Sequence, residues 1–141
     1  MKFKGDEQDF NEERDRELLR IYRRLIADVK HIRSVDICTQ ISDHPSPRFW
    51  VSSDRAAIVV GALSKGDLLV STHPSKREMY FEIYSRFCEL RKKHPKKSVY
   101  DLVTEIVYQP APKFYLTPRT IKEFINRAQK RRRDEKKNRN Q

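Results

Sequence analysis

Apolar residues recur along most of this chain at three- and four-residue intervals, the period of an α-helix with one buried face. Leu18, Tyr22, Leu25, Val29 and Ile32, widened by Leu19 and Ile26, predict a first helix from about Asn11. A short second helix follows, with Ser34 as N-cap and Val35, Ile37, Cys38 and Ile41 turned inward, until His44-Pro45 stops it. Pro45 to Val51 is predicted to be extended, because two prolines fix φ and Phe49-Trp50-Val51 favours extended backbone. Ser52 then caps a third helix, Ser53 to Leu63, apolar almost all round and so expected to be buried on more than one side, with Gly61 permitting a close approach or a kink. In the connector after it, Leu68-Leu69-Val70 is expected to tuck onto the core.

The same order then restarts. Ser75-Lys76-Arg77-Glu78 reads as a capping box, followed by Met79, Tyr80, Ile83, Tyr84, Phe87, Cys88 and Leu90 on one helical face. Ser98 opens a further helix whose inner side is Leu102, Val103, Ile106 and Val107. Sixty-five positions after Pro45, Pro47, Arg48, Phe49, Trp50, Val51 and Ser52 stand Pro110, Pro112, Lys113, Phe114, Tyr115, Leu116 and Thr117. The fold class this implies is all-α: two diverged three-helix, helix-turn-helix-like repeats, each with a short extended Pro-x-Pro segment before its third helix. One repeat of about 60 residues buries too little apolar surface to stand alone, so the two are expected to pack together with approximate two-fold symmetry. The boundaries are a disordered acidic leader at 1–11, a first repeat at 12–66, a connector at 67–74, a second repeat at 75–130 and a basic tail at 131–141.

Charge separates the two halves. Residues 1–70 carry 12 Lys and Arg against 12 Asp and Glu, whereas residues 71–141 carry 19 against 8, so the second half holds the entire surplus of +11. Such a one-sided field concentrates polyanions, of which nucleic acid is the commonest. The surplus gathers in the loop Arg91 to Lys97, which includes Lys96 and Lys97, and in the last predicted helix. There Thr117 caps and Pro118 takes the first helical position. Ile121, Phe124, Ile125 and Ala128 form the inner face, opposite Arg119, Thr120, Lys122, Glu123, Asn126 and Arg127, and the basic run continues through Lys130, Arg131, Arg132, Arg133, Lys136, Lys137 and Arg139.

Leu116-Thr117-Pro118-Arg119-Thr120-Ile121-Lys122-Glu123-Phe124-Ile125 resembles the start of the recognition helix in helix-turn-helix DNA-binding proteins. The resemblance implies that Arg119, Thr120, Lys122, Glu123 and Asn126 face base edges while the helix from Ser98 crosses the nucleic-acid backbone. The turn departs from that family, since Tyr108 to Leu116 replaces its three or four residues with about nine. The doubled Pro-x-Pro-basic-aromatic segment is similar to one in small uncharacterised proteins of bacteria and their tailed phages. Two readings of it stand. Phe49 and Phe114 pin the segment beneath the third helix as scaffold, or Arg48 and Lys113 beside an aromatic make phosphate-and-stacking contacts.

The expected function is therefore nucleic-acid binding, with duplex DNA favoured over RNA, through Arg119, Thr120, Lys122, Asn126, Arg127, Lys130, Arg131, Arg132 and Arg133, helped by Lys96, Lys97 and Lys113. A transcriptional or phage-encoded regulator fits that expectation. The alternative is a protein-interaction or virion-associated component whose tail docks on an acidic partner or a packaged genome, and a homodimer through the third helix is a further arrangement. Neither a Gly-rich phosphate loop nor a nucleophile-base pattern is present, so no enzyme and no catalytic residue is expected. Cys38 and Cys88 read as reduced core thiols, and the histidines lack metal-ligand spacing, so no metal and no cofactor is expected. No apolar run approaches the ~18 residues of a membrane helix, and the polar N-terminus lacks a secretory layout, pointing to the cytoplasm, that of a host if the protein is viral.

Overall fold

In the computed structural model the backbone of residues 4–28 and 34–139 and the side chains of residues 10–27 and 36–139 are described. Among these residues six helices form an all-α fold: α1 (Lys4–Asp28), α2 (Ser34–Ser42), α3 (Ser53–Ser64), α4 (Pro74–Lys93), α5 (Val99–Val107) and α6 (Pro118–Arg139). Residues 4–11 are helical rather than a disordered leader. Phe10 sits edge-on to Trp50 with ring centroids 5.7 Å apart. Residues 1–3, Val29, Ile32 and the Val35 side chain lie outside the described residues.

Side chains set most of the helix starts. Ser52 accepts the Arg55 N–H at 3.1 Å, Ser98 the Asp101 N–H at 3.1 Å and Thr117 the Thr120 N–H at 3.3 Å. The capping box expected at Ser75 is replaced by His73, whose Nδ1 accepts the Ser75 N–H at 3.2 Å, with Pro74 in the first helical turn. Glu78 is thereby free of a capping role and pairs with Lys113 Nζ at 2.6 Å.

The helices do not sort by sequence copy. α6 packs on α1 and α2, while α3 packs on α4 and α5, so the third helix of each half lies against the first two helices of the other half. Two cores result. Ala56, Val59, Val60, Met79, Tyr80, Ile83, Phe87, Leu102, Val103, Ile106 and Val107 fill one, and Leu18, Leu19, Ile21, Ile37, Cys38, Ile41, Ile121, Ile125 and Ala128 fill the other. Burial pushes the Cys38 thiol up from its ordinary value, against the pull of nearby Lys122, and both cysteines are free thiols.

The Pro-x-Pro segments, bent at residues 47–48, 50–51 and 112–113 rather than extended throughout, join the cores at the crossover. Ser46 and Ala111, aligned positions, exchange backbone hydrogen bonds at 3.0 and 2.9 Å in an antiparallel bridge. Around them Phe49 stacks on Tyr115 with centroids 6.1 Å apart, and Trp50 on Phe114 at 6.5 Å. Each phenylalanine is buried beneath the third helix that follows it, and its aromatic neighbour in sequence enters the opposite core. Arg24 reaches His44 at 3.2 Å, and Arg86 reaches Gln109, the aligned position, also at 3.2 Å. Tyr115 takes a left-handed φ of 57°, a conformation unfavourable for an aromatic residue that the surrounding packing must hold.

Three expectations for α3 and the connector after it fail. Ile58 is 64% exposed, so α3 is buried along one face and not on several. A Cβ at Gly61 would meet nothing within 4 Å, so no close approach depends on it. Only Leu69 of the connector packs on the core, while Leu68 and Val70 are exposed. Leu69 stands at φ 55°, with its N–H accepted by Asp67, and this turn sends its neighbours outward.

Candidate nucleic-acid interface

α6 has 22 residues and is therefore about 33 Å long, and its inner face is fixed by Ile121, Ile125 and Ala128. At 100° per residue, Arg119, Lys122, Asn126, Lys130, Arg133 and Lys137 fall within an arc of about 80° on the opposite side, and all six are exposed. They form a stripe of five cations and one amide about 27 Å long. Glu123 and Asp134 flank one edge of it, and the Arg119 side chain, 92% exposed, lies 3.9 Å from Glu123. The cations of the last turn also oppose the helix dipole.

Other residues expected at the interface are committed elsewhere. Thr120 is turned back into the cap, its Oγ1 accepting from Thr117 at 2.9 Å. Arg127 Nε donates to Asp15 Oδ2 at 2.8 Å, and Arg131 Nη2 lies 3.7 Å from the same oxygen. Asp15 is fully buried and also accepts from Arg14 Nη2 at 3.2 Å. Two guanidiniums lie over the Phe124 ring, Arg14 at 3.7 Å and Arg127 at 4.7 Å from its centroid. Burial pushes the Arg14 guanidinium down from its ordinary value, with Asp15 pulling it back up. This clamp ties α6 to α1. A buried carboxylate left unpaired would be costly, so these arginines serve the fold.

The Pro-x-Pro segments are similarly engaged. Arg48 is buried, donates to the carbonyls of Phe49 at 3.0 Å and Val51 at 3.2 Å, and lies 4.4 Å from the Tyr108 ring centroid. Its phosphate-contact reading gives way to that of an internal tie. Lys113 is held by Glu78 and lies 5.8 Å from the Tyr115 ring. Arg91 to Lys93, expected in a loop, form the last turn of α4, from which Arg91 donates to the carbonyls of Pro95 and Lys97 in the loop beyond, and Lys97 Nζ lies 3.5 Å from Glu105. Lys96 is exposed there, as are Arg132 and Arg133 on α6.

α5, expected to cross a nucleic-acid backbone beside α6, makes no helix contact with it and packs on α3 and α4. The platform that presents α6 is instead α1 and α2. α1 also brings Arg16, Arg20 and Arg23 alongside the end of α6, and none of these was singled out in the sequence. Their spacing of four and three on one helical face is the signal that could have marked them. Among the described residues no group of three or more metal-ligating side chains occurs, and no helix is long and apolar enough to cross a membrane. Comparison with protein-family models, curated proteins and solved structures finds no match to this chain.

Proposed function

We propose that this protein binds nucleic acid, duplex DNA foremost, by laying the outer face of α6 against the phosphate backbone. The single observation that carries the reading is the exposed stripe of Arg119, Lys122, Asn126, Lys130, Arg133 and Lys137. Five cations on one rigid face supply sequence-independent affinity, and Asn126 among them is an amide suited to adenine edges. Duplex DNA is favoured over duplex RNA because a helix about 10–12 Å across matches a major groove about 12 Å wide, whereas the deep, narrow groove of A-form RNA excludes it. The likeness of Leu116–Ile125 to recognition helices supports the same face, with α1 and α2 as the platform in place of the usual partner helix.

A fluorescence-anisotropy titration of labelled duplex at low salt tests this. Expected is binding that weakens by more than tenfold in Arg119→Glu/Lys122→Glu, with unchanged helicity. Wild-type protein that ignores duplex DNA but binds an acidic protein would favour the reading in which the basic helix docks on a protein partner.

A further inference from the structure

α6 carries a second basic surface on the side away from its outer stripe. A groove of about 520 Å³ runs between α1 and α6, with the buried Leu19 and Ala128 in its lining. Its volume lies within the range of about 300–1,000 Å³ usual for small-ligand clefts, room for one run of small anionic groups rather than a duplex. α1 lines it with Arg16, Arg20 and Arg23, and α6 with Arg131, Arg132, Lys136 and Arg139. Among the described residues seven cations thus share the groove with two carboxylates, Glu12 and Glu135. Arg20 also pairs with Glu17, at the edge of the same helix.

Two rows of like charge facing each other across a groove repel unless an anion lies between them. Asp15 answers only the inner edge. It draws Arg131 Nη2 to 3.7 Å, while Arg131 Nη1 is buried with no hydrogen-bond partner among the described residues. A buried donor of this kind costs free energy until an acceptor reaches it. Among the described residues no aromatic side chain lines the groove, which thus offers a nucleobase nothing to stack on. Guanidinium forks on both walls match phosphate oxygens bidentately.

We propose that the α1/α6 groove binds a linear run of phosphate groups, supplied either by free polyphosphate or by the backbone of one nucleic-acid strand, and that this anion bridges the two helices. The site is separate from the outer stripe and stands whether or not that stripe binds duplex DNA.

Calorimetric titration of the full chain at low salt with sodium tripolyphosphate, and separately with hexathymidylate, tests it. Two variants disarm one wall each, Arg16→Gln/Arg23→Gln on α1 and Arg132→Gln/Lys136→Gln on α6. All four positions are exposed, so the fold is expected to survive, and circular dichroism checks it. The control is Arg55→Gln/Lys65→Gln, exposed cations outside both the groove and the stripe. Expected is binding of at least one probe to wild type, weakened more than tenfold by either wall variant and less than twofold by the control. Tripolyphosphate binding identifies a free anion as sufficient, and binding of hexathymidylate alone identifies the strand backbone. The proposal is overturned if neither probe binds, if only the α6 wall matters, or if the control loses as much as the wall variants.

Discussion

The two cores share an order of helices but are closed by different chemistry. Around α3, α4 and α5 the third helix is short and held by apolar contacts, with Ala56, Val59 and Val60 against Met79, Tyr80, Ile83 and Leu102. Around α1, α2 and α6 the third helix is long and basic, and apolar contacts from Ile121, Ile125 and Ala128 are joined by a buried carboxylate that gathers arginines from both helices. Asp15 aligns with Arg77 in the other copy, and Arg127 aligns with Ala62, so the clamp has no counterpart there. A helix that presents cations outward is pinned by turning some of its cations inward. The comparison separates the charge on α6 that builds the fold from the charge that is free to act.

Substitutions can break that comparison, beginning with the largest effects. Asp15→Ala leaves Arg14, Arg127 and Arg131 together without their carboxylate and should cost about 3–5 kcal/mol in urea unfolding. Arg77→Ala, at the aligned position, should stay within about 0.5 kcal/mol. If the two cost the same, the clamp is not what distinguishes the cores. What the cores share should respond alike: Phe49→Ala and Phe114→Ala, each emptying the space beneath a third helix, should each cost about 3–5 kcal/mol by the same measurement.

A smaller effect separates the crossover aromatics. Burial, reinforced by Glu82 and Glu78 and opposed by Arg86, pushes the Tyr115 hydroxyl up to about 12 from 10. Between those values the folded chain keeps a proton that the unfolded chain loses, so stability falls as pH rises through this window. Tyr115→Phe should lose less stability than wild type from pH 10 to 12, measured by chemical unfolding at each pH, whereas Trp50→Phe should follow the wild-type pH dependence. Smallest of all, Ile58→Ser on the open side of α3 should change stability by no more than about 0.5 kcal/mol.

Much of this architecture can be read from the residues, because caps and periodicity act locally. Ser52, Ser98 and Thr117 cap as their sequence contexts imply, and the inward positions of α4, α5 and α6 follow the helical period. A hydrophobic stripe does not name its partner, so the exchange of third helices had no local signature. Asp15 stands in a run of charged residues that looks like solvated surface, and only α6, arriving from more than a hundred residues away, makes it a buried anchor. For the same reason Arg127 and Arg131 look like free cations in sequence. Leu68 and Val70 mislead in the opposite direction, since an apolar residue in a turn need not find a core.

The salt dependence of duplex binding tests the outer face of α6 most directly. Five stripe cations, at roughly 0.9 per neutralised phosphate, should give a slope of about −4.5 in log affinity against log salt. Arg119→Gln/Lys122→Gln should reduce that slope by about 2 while leaving urea stability unchanged. An unaltered slope in this variant, or no duplex affinity even at low salt, would contradict the assignment of α6 as the nucleic-acid surface.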